Sequence, residues 1–289
     1  MKLLLKFNLI LLVVFVLGLV TSSMVARNLL QKAEIEQAAG HARLLIEQAN
    51  AVGMYTATQI KPLLDKQIKE VFLPQSVPAY GAAEVLNILS VSHPEYSFKS
   101  AMLNPTNPLD KAVEWEEDVI NEFKTSPQMK EVIGKRSTPG GEMLYVATPI
   151  RITDPACLSC HTTPAAAPPK MVERYGASNG FGWRLNETLG AQVVSLPLSV
   201  PLQRADEALV VVNSVLAAVF LLMGVILNLM LLKLVIQPVS RLSEIADKVS
   251  MGEEAPEFNI QNKDEIGILS DSFGRMRKSL THAMKLLED

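Results

Sequence analysis

Cysteine is almost absent from this sequence: only two of its 289 residues are Cys, and they lie three positions apart, at Cys157 and Cys160. A disulfide at that spacing would close almost no loop, so the pair is not the staple of a small secreted domain. Histidine is scarce too, with four in the chain, and no second Cys pair is present to complete a zinc site. The net charge is only -3 and no long basic run occurs, so we expect no nucleic-acid partner.

Charge is missing altogether from two long segments, residues 7–26 and 208–232. A helix needs about 20 apolar residues to cross a bilayer, so we predict transmembrane helices over residues 7–26 and 207–236. A cleavable signal peptide is the alternative for the first segment. Its apolar stretch is longer than that of most signal peptides, however, and Met24 occupies a position of the cleavage site that normally holds a small residue. We therefore expect an uncleaved anchor.

Basic residues beside these segments set the expected orientation, because positive flanks remain in the cytoplasm. They predict a cytoplasmic N-terminus at residues 1–6, a periplasmic domain at residues 27–206 and a cytoplasmic region at residues 237–289. The basic residues are Lys2 and Lys6 before the first segment, and Lys233, Arg241 and Lys248 after the second.

The region between the segments mixes two periodicities, which predicts an α+β domain large enough to bury its own core. Apolar residues three or four apart indicate helices, and alternating ones indicate strands. A loop at residues 154–187 holds both cysteines. The predicted helices are 28–64 (ending at Lys61-Pro62), 82–90 and 111–123, and the predicted strands are 96–103, 143–152 and 190–198.

The two cysteines belong to the run Cys157-Leu158-Ser159-Cys160-His161. This is the C-x-x-C-H pattern of c-type haem attachment, in which two thiols bind the macrocycle and the following imidazole ligates the iron. A thioredoxin-like redox pair is the alternative, but the prolines at 155 and 164 favour a loop over a helix start. We therefore predict one covalently attached haem c, held by Cys157, Cys160 and His161.

The second axial ligand of the iron stays open. Met54 is the first candidate because it lies in the least polar stretch of the first predicted helix, and His41 on the same helix is the second. His93 and an open or water-occupied position are further alternatives, whereas His282 is excluded as cytoplasmic. Phe181 and Trp183 are candidates to line the porphyrin face, with a role as core aromatics the alternative.

Several runs in this region match a known pattern: Ser97-Phe98-Lys99, Asn104-Pro105-Thr106-Asn107-Pro108, Trp115-Glu116, the Cys157–His161 motif, residues 175–183 (YGASNGFGW) and residues 190–195 (GAQVVS). They resemble the PAS-like periplasmic c-type haem domain of bacterial chemoreceptors, histidine kinases and short cyanobacterial haem proteins, over about residues 33–200. The resemblance implies a small antiparallel sheet with flanking helices around one haem, in a bacterial inner-membrane protein. It also implies that the second iron ligand differs between members, so the resemblance assigns His161 as a ligand of the iron but does not assign the second one.

Residues 237–287 resemble a HAMP domain, on Pro238 and the Glu265-x-Gly267 element. The resemblance implies an all-α helical hairpin that forms a parallel four-helix bundle from two chains, hence a homodimer. A generic amphipathic hairpin is the alternative. A connector at residues 251–260 carries Phe258 and Ile260. The apolar seams fall at Val239, Leu242, Ala246 and Val249, then at Ile266, Leu269, Phe273, Met276, Leu280, Ala283 and Leu287.

These features predict a membrane-bound sensor in which redox state or a small ligand at the haem is relayed through the HAMP domain. No kinase, cyclase or methyl-accepting region follows in this sequence, so we expect a separate cytoplasmic output protein, such as a histidine kinase or a chemotaxis component. A membrane-anchored cytochrome that only passes electrons is the alternative. We expect no enzyme, because no acid–base constellation accompanies the Cys pair.

Overall fold

A computed structural model describes residues 2–68, 70–251, 253 and 264–288. The chain divides into two compact units, which are treated separately below. The sheet unit is Val25–Leu209, and the span unit combines Met1–Met24 with Val210–Asp289. The predicted domain boundaries at residues 26/27 and 206/207 stay predictions.

The helices and strands follow one another in a mixed order along the chain. In the described ranges, two π-helical turns, Thr56–Ile60 and Leu231–Ile236, interrupt the long helices. The α-helices are α1 (Lys2–Tyr55), α2 (Lys61–Ile68), α3 (Pro78–Ser92), α4 (Glu114–Thr125), α5 (Leu158–His161), α6 (Pro169–Tyr175), α7 (Ser199–Met230), α8 (Gln237–Ser250) and α9 (Glu265–Glu288), and the strands are β1 (Ser97–Met102), β2 (Val132–Thr138), β3 (Gly141–Arg151) and β4 (Thr188–Pro197).

Among the described residues of the sheet unit, four strands form one antiparallel sheet in the order β1-β4-β3-β2. Side chains alternate between its faces, as strand geometry requires. Val193 faces α4, whose Ile120 and Phe123 are fully buried against it. Val194 faces α1, where Ala42 and other small residues let the helix approach the sheet closely. The predicted α+β class, with a small antiparallel sheet, flanking helices and a long N-terminal helix, is confirmed.

The predicted end of the first helix at Lys61-Pro62 is wrong, because α2 continues through Pro62. A proline inside a helix normally loses one hydrogen bond and clashes with the carbonyl four residues earlier. The π-helical turn just before it widens the backbone, and the Lys61 N–H donates to the carbonyl of Thr56 instead. The wider turn lets the helix pass the proline.

Strand β2 was not predicted from the sequence. It pairs along its whole length with β3 through a tight hairpin that joins Thr138 to Gly141. Gly141 has a φ of +112°, a conformation that glycine adopts readily. The Pro-Gly-Gly run at residues 139–141 was the available signal, since such runs often close hairpins.

The span unit contains the most apolar helices. Among the described residues, Leu4–Leu64 and Ser199–Ser250 are long and apolar enough to cross a membrane by length and composition, and 0% of their most apolar windows is buried. Such exposure is not expected for the core helix of a soluble protein. Side chains pair the two helices antiparallel at Asn8 with Asn228, Phe15 with Phe220, and Ser23 with Asn213.

The predicted second helix of the region after the second apolar segment is confirmed, since α9 begins at Glu265 and the Asp264 carboxylate accepts from the Gly267 N–H at 2.9 Å. Leu242 of α8 is buried. Most of the predicted connector, with Phe258 and Ile260, lies outside the described residues, as do the side chains of Ala283 and Leu287.

Candidate functional site

The segment with both cysteines, residues 154–187, was predicted as a loop, but it contains a 3₁₀ turn and two short helices, α5 and α6. Asp154 begins it by accepting a hydrogen bond from the Ala156 N–H at 2.8 Å, and a 3₁₀ turn, Pro155–Cys157, leads into α5. The four residues of α5 end at His161, so both thiols and the imidazole lie on about one turn of backbone. Both cysteines are free and partly buried.

His161 is held through one of its two ring nitrogens. Nδ1 lies 2.7 Å from the carbonyl oxygen of Gly180 and 3.4 Å from the Thr106 hydroxyl. A carbonyl only accepts, so Nδ1 carries the proton and Nε2 is left with its lone pair. A metal-binding histidine has this arrangement, in which a backbone carbonyl fixes the tautomer and the ring orientation.

Burial lowers the pKa of His161, and the hydrogen bond to Gly180 opposes that shift in part. The neutral imidazole is therefore the favoured form, and it is the form that ligates metals. Burial also raises the pKa of the Cys157 thiol, an effect that Asp154 reinforces and the Lys61 charge reduces. The Lys61 charge is therefore close enough to Cys157 to act on its thiol.

Trp183 stacks on His161. The ring centroids are 3.8 Å apart and the planes differ by 8°. The Trp183 backbone N–H donates to the His161 carbonyl at 3.2 Å, and the Gly182 N–H donates to the Thr162 carbonyl at 3.0 Å. The indole Nε1 is buried without a hydrogen-bond partner among the described residues.

The turn after β1 holds the loop that carries Gly180. Asn104 accepts from the Gly180 N–H at 3.2 Å and donates to the Phe181 carbonyl at 3.3 Å. Gly180 has a φ of +80°, and a Cβ there would lie 2.0 Å from the Thr106 hydroxyl oxygen. Only glycine fits this position.

Asn104, Thr106 and Gly180 belong to the runs that resemble the haem family, but the sequence predicted no role for them. The structure brings Thr106 and Gly180 against His161, although they are 74 positions apart in the sequence, and Asn104 holds Gly180 in place. The signal available was the turn-forming run Asn104-Pro105-Thr106, because Asn and Pro at a strand end indicate a defined turn.

The predicted candidates for the second ligand lie in different places. Met54, near the end of α1, has 70% of its surface exposed, and the neighbouring Gly53 faces Pro78. Seven residues further on, Lys61 is in electrostatic range of Cys157. Phe181 is half-buried in the loop that holds His161.

His41 lies elsewhere. It lines a groove of about 400 Å³ together with His93, Leu86 and Phe98, at the beginning of β1. His161 contacts the turn that follows the other end of this strand. Five residue steps of strand span about 16 Å, so the structure does not bring His41 to His161.

Two protein-family models match the chain. A HAMP domain model matches residues 230–282, which gives the chain the domain order of a signal-transduction receptor: paired candidate membrane helices, a sheet domain between them and a HAMP domain after them. The model of the Tll0287-like family matches residues 31–197, more than half of the chain, and the chain belongs to this family. The architecture expected from the resemblance is confirmed.

One curated relative and one solved structure resemble parts of the chain. The methyl-accepting chemotaxis protein TlpA of Bacillus subtilis (strain 168) is 26% identical over 106 residues, which are 37% of this chain and 15% of that protein. The chain thus spans about 15% of the length of this relative. The cyanobacterial heme-protein Tll0287 matches 56% of this chain and 95% of its own at 15% identity and a TM-score of 0.45, too low to carry a statement about this chain's ligand.

Proposed function

We propose that this protein is a bacterial inner-membrane receptor whose periplasmic domain holds one covalently attached haem c and signals its state through the HAMP domain. The observation that carries the proposal is the arrangement of Cys157, Cys160 and His161 on one short turn, with Nδ1 of His161 held by Gly180 and Nε2 left to ligate iron. The receptor part is supported by the HAMP match and by the similarity to a chemotaxis protein.

The donor set fits a c-type haem. Two free thiols are available for the two vinyl groups, and one neutral imidazole follows them directly. The buried Trp183 Nε1 is a hydrogen-bond donor that still lacks an acceptor within the described residues, and a haem carboxylate is one acceptor that would satisfy it. The haem supplies one-electron and ligand-binding chemistry, while the chain sets the axial ligand and its surroundings.

For the second axial ligand we propose Met54 ahead of His41. Met54 lies on the helix whose continuation brings the Lys61 charge close enough to act on Cys157, whereas His41 lines a groove at the opposite end of β1. A methionine and a histidine together would close the iron against gases and favour redox sensing over gas binding. Substitution of Met54 by Ala should change the reduced absorption spectrum, and substitution of His41 by Ala should not.

The HAMP helices support a homodimer as part of the proposal. Several seam residues are apolar yet solvent-exposed in one chain, including Leu269 at 46%, Met276 at 59% and Leu280 at 44%. Heptad seams of this kind are covered by partner helices in coiled coils. Two copies of α8 and α9 would bury them in a four-helix bundle, through which the state of the periplasmic domain would reach cytoplasmic signalling proteins.

Haem attachment is tested by expressing the full chain in cells with a working cytochrome c maturation system. The protein is denatured, separated on a gel and stained for peroxidase activity. We expect a stained band for the natural chain and for a His93→Ala control, and no stain for a Cys157→Ala/Cys160→Ala variant. A natural chain without stain would contradict the proposal.

The receptor role is tested by removing residues 237–289 from the haem-loaded protein. We expect a haem-dependent cellular response to be lost while growth-linked electron flow is unchanged. Loss of electron flow with no effect on signalling would instead favour the electron-transfer alternative.

A further inference from the structure

We propose that Trp183 is a positioning residue for His161: its indole fixes the plane of the imidazole and sets the redox potential of iron bound at Nε2. This inference rests on the proposed haem attachment. It starts from the parallel stack of the two rings, 3.8 Å between centroids and 8° between planes. No pairing of these residues was expected from the sequence.

The hydrogen bond to Gly180 alone does not fix the imidazole plane. The contacts of Nδ1 with Gly180 and Thr106 hold one edge of the ring and set the tautomer, but they leave the ring free to tilt about that edge. A parallel aromatic surface in van der Waals contact removes that freedom, because any tilt would drive the imidazole into the indole. Gly180 and Trp183 therefore restrain two different motions of the same ring.

The loop that carries the indole is held in place by backbone contacts. Two hydrogen bonds join this loop to the end of α5, from Trp183 to His161 and from Gly182 to Thr162. The Gly182 φ of +81° directs the chain back toward α5. These bonds hold the backbone of Trp183 beside that of His161, which keeps the indole within reach of the imidazole.

The stack also has an electrostatic consequence. The face of an indole carries partial negative charge and attracts cations. An imidazole bound to ferric iron is more positive than one bound to ferrous iron, so the indole stabilises the oxidised state. Removing the indole should raise the potential. We expect the ratio of oxidised to reduced protein at a fixed ambient potential to fall about threefold to tenfold, tenfold being about 59 mV for one electron.

The test uses the haem-loaded full chain and three variants. Trp183→Leu removes the aromatic face, and Trp183→Phe keeps an aromatic ring but removes the Nε1 donor. Trp115→Leu is the matched control, because the other tryptophan of the chain packs against Tyr145 and Arg136 instead of His161. Each is titrated by visible absorption, and the g-values of the ferric state report the imidazole orientation.

We expect Trp183→Leu to raise the potential and broaden the ferric signal. Trp183→Phe should raise the potential by less, because a phenyl face is less negative than an indole face, and Trp115→Leu should stay near the natural chain. An unchanged potential in Trp183→Leu, or a shift in Trp183→Phe as large as that in Trp183→Leu, overturns the inference. Haem staining distinguishes failure of the proposed function from failure of this inference. A natural chain without stain overturns both. A stained natural chain whose potential is unchanged in Trp183→Leu overturns this inference alone.

A second measurement covers the case in which Trp183→Leu does not fold. Fluorinated tryptophan incorporated into a Trp115→Phe background weakens the indole face at position 183 with almost no change in shape. The potential should rise again, by less than in Trp183→Leu. An unchanged potential would contradict the inference as well.

Discussion

Different kinds of contact stabilise the histidine site and the pair of candidate membrane helices. Around His161, several residues distant in sequence converge, and one of them, Gly180, has a backbone conformation and a clearance that only glycine satisfies. Between the two helices, Asn8 makes a polar contact with Asn228, and Ser23 makes one with Asn213. The interval between these contacts is the same on both helices: Ser23 is 15 positions after Asn8, and Asn228 is 15 positions after Asn213. The site depends on particular residues, whereas the helix pair depends on register.

The largest effect that follows from this comparison is expected at Gly180. Replacement by Ala combines a positive φ with a Cβ that would lie 2.0 Å from the Thr106 hydroxyl. We expect a loss of roughly 3 kcal/mol in the free energy of unfolding, from backbone strain and overpacking together. Urea unfolding of the full chain in detergent measures it.

Gly182 is the matched control for this substitution. Its φ of +81° is similar, but a Cβ there meets nothing within 4 Å. Gly182→Ala should therefore cost only the backbone term, about 1–2 kcal/mol. Equal losses in the two variants would mean that the contact with Thr106 is unimportant and that the site is less dependent on particular residues than we infer.

The second prediction concerns the register of the two helices. Ser23 and Asn213 are in hydrogen-bond contact at 3.2 Å, so a Ser23→Cys/Asn213→Cys variant should form a disulfide within one chain on mild oxidation. The natural cysteines are first replaced by Ala. A Ser22→Cys/Asn213→Cys variant should cross-link far more slowly, because Ser22 lies about 100° around the helix from Ser23. Equal rates would contradict the register.

The reciprocal amide pair of Asn8 and Asn228, with contacts of 2.9 and 2.8 Å, should contribute to the same register. Such bonds in a bilayer are worth roughly 0.6–2 kcal/mol. Asn228→Leu should therefore lower the yield of the 23/213 cross-link without abolishing it.

The smallest effect is expected at Asp110, which lies outside both regions of the comparison. Burial raises the pKa of its carboxyl, against the lowering effects of Lys99 and Asn107. A raised folded-state pKa means that the folded protein binds this proton more tightly than the unfolded chain does. The protonated Asp110 therefore stabilises the fold at low pH, and this stabilisation is lost as pH rises through the folded pKa. Asp110→Asn should stabilise the protein slightly at neutral pH and not at low pH. Destabilisation at neutral pH in thermal unfolding would contradict this.

The sequence predicted features that repeat along the chain. Alternation and helical spacing gave β1, β3, β4 and α4 to within a few residues of their observed ends, because one buried face imposes its period on the sequence. The apolar segments carry a similarly direct signal, since the bilayer demands length and composition.

Features that depend on contacts between distant residues were not predicted. The helix continues past Pro62 because a π-helical turn precedes it, and no local pattern announces such a turn. The attachment motif identified His161, but the roles of Asn104, Thr106 and Gly180 depend on a turn and a loop that only the fold brings together. The stacking of Trp183 on His161 was not predicted either, because these two residues also come together only in the fold.

The central claim is that Cys157 and Cys160 carry a haem, and mass spectrometry of a tryptic digest tests it most directly. Cleavage after Arg151 and Lys170 yields a single peptide that contains both cysteines and His161. From cells with cytochrome c maturation, the account predicts that this peptide is heavier by one haem and that it is unmodified in Cys157→Ala/Cys160→Ala. A natural peptide with two free thiols, or with a disulfide between them, would contradict the account.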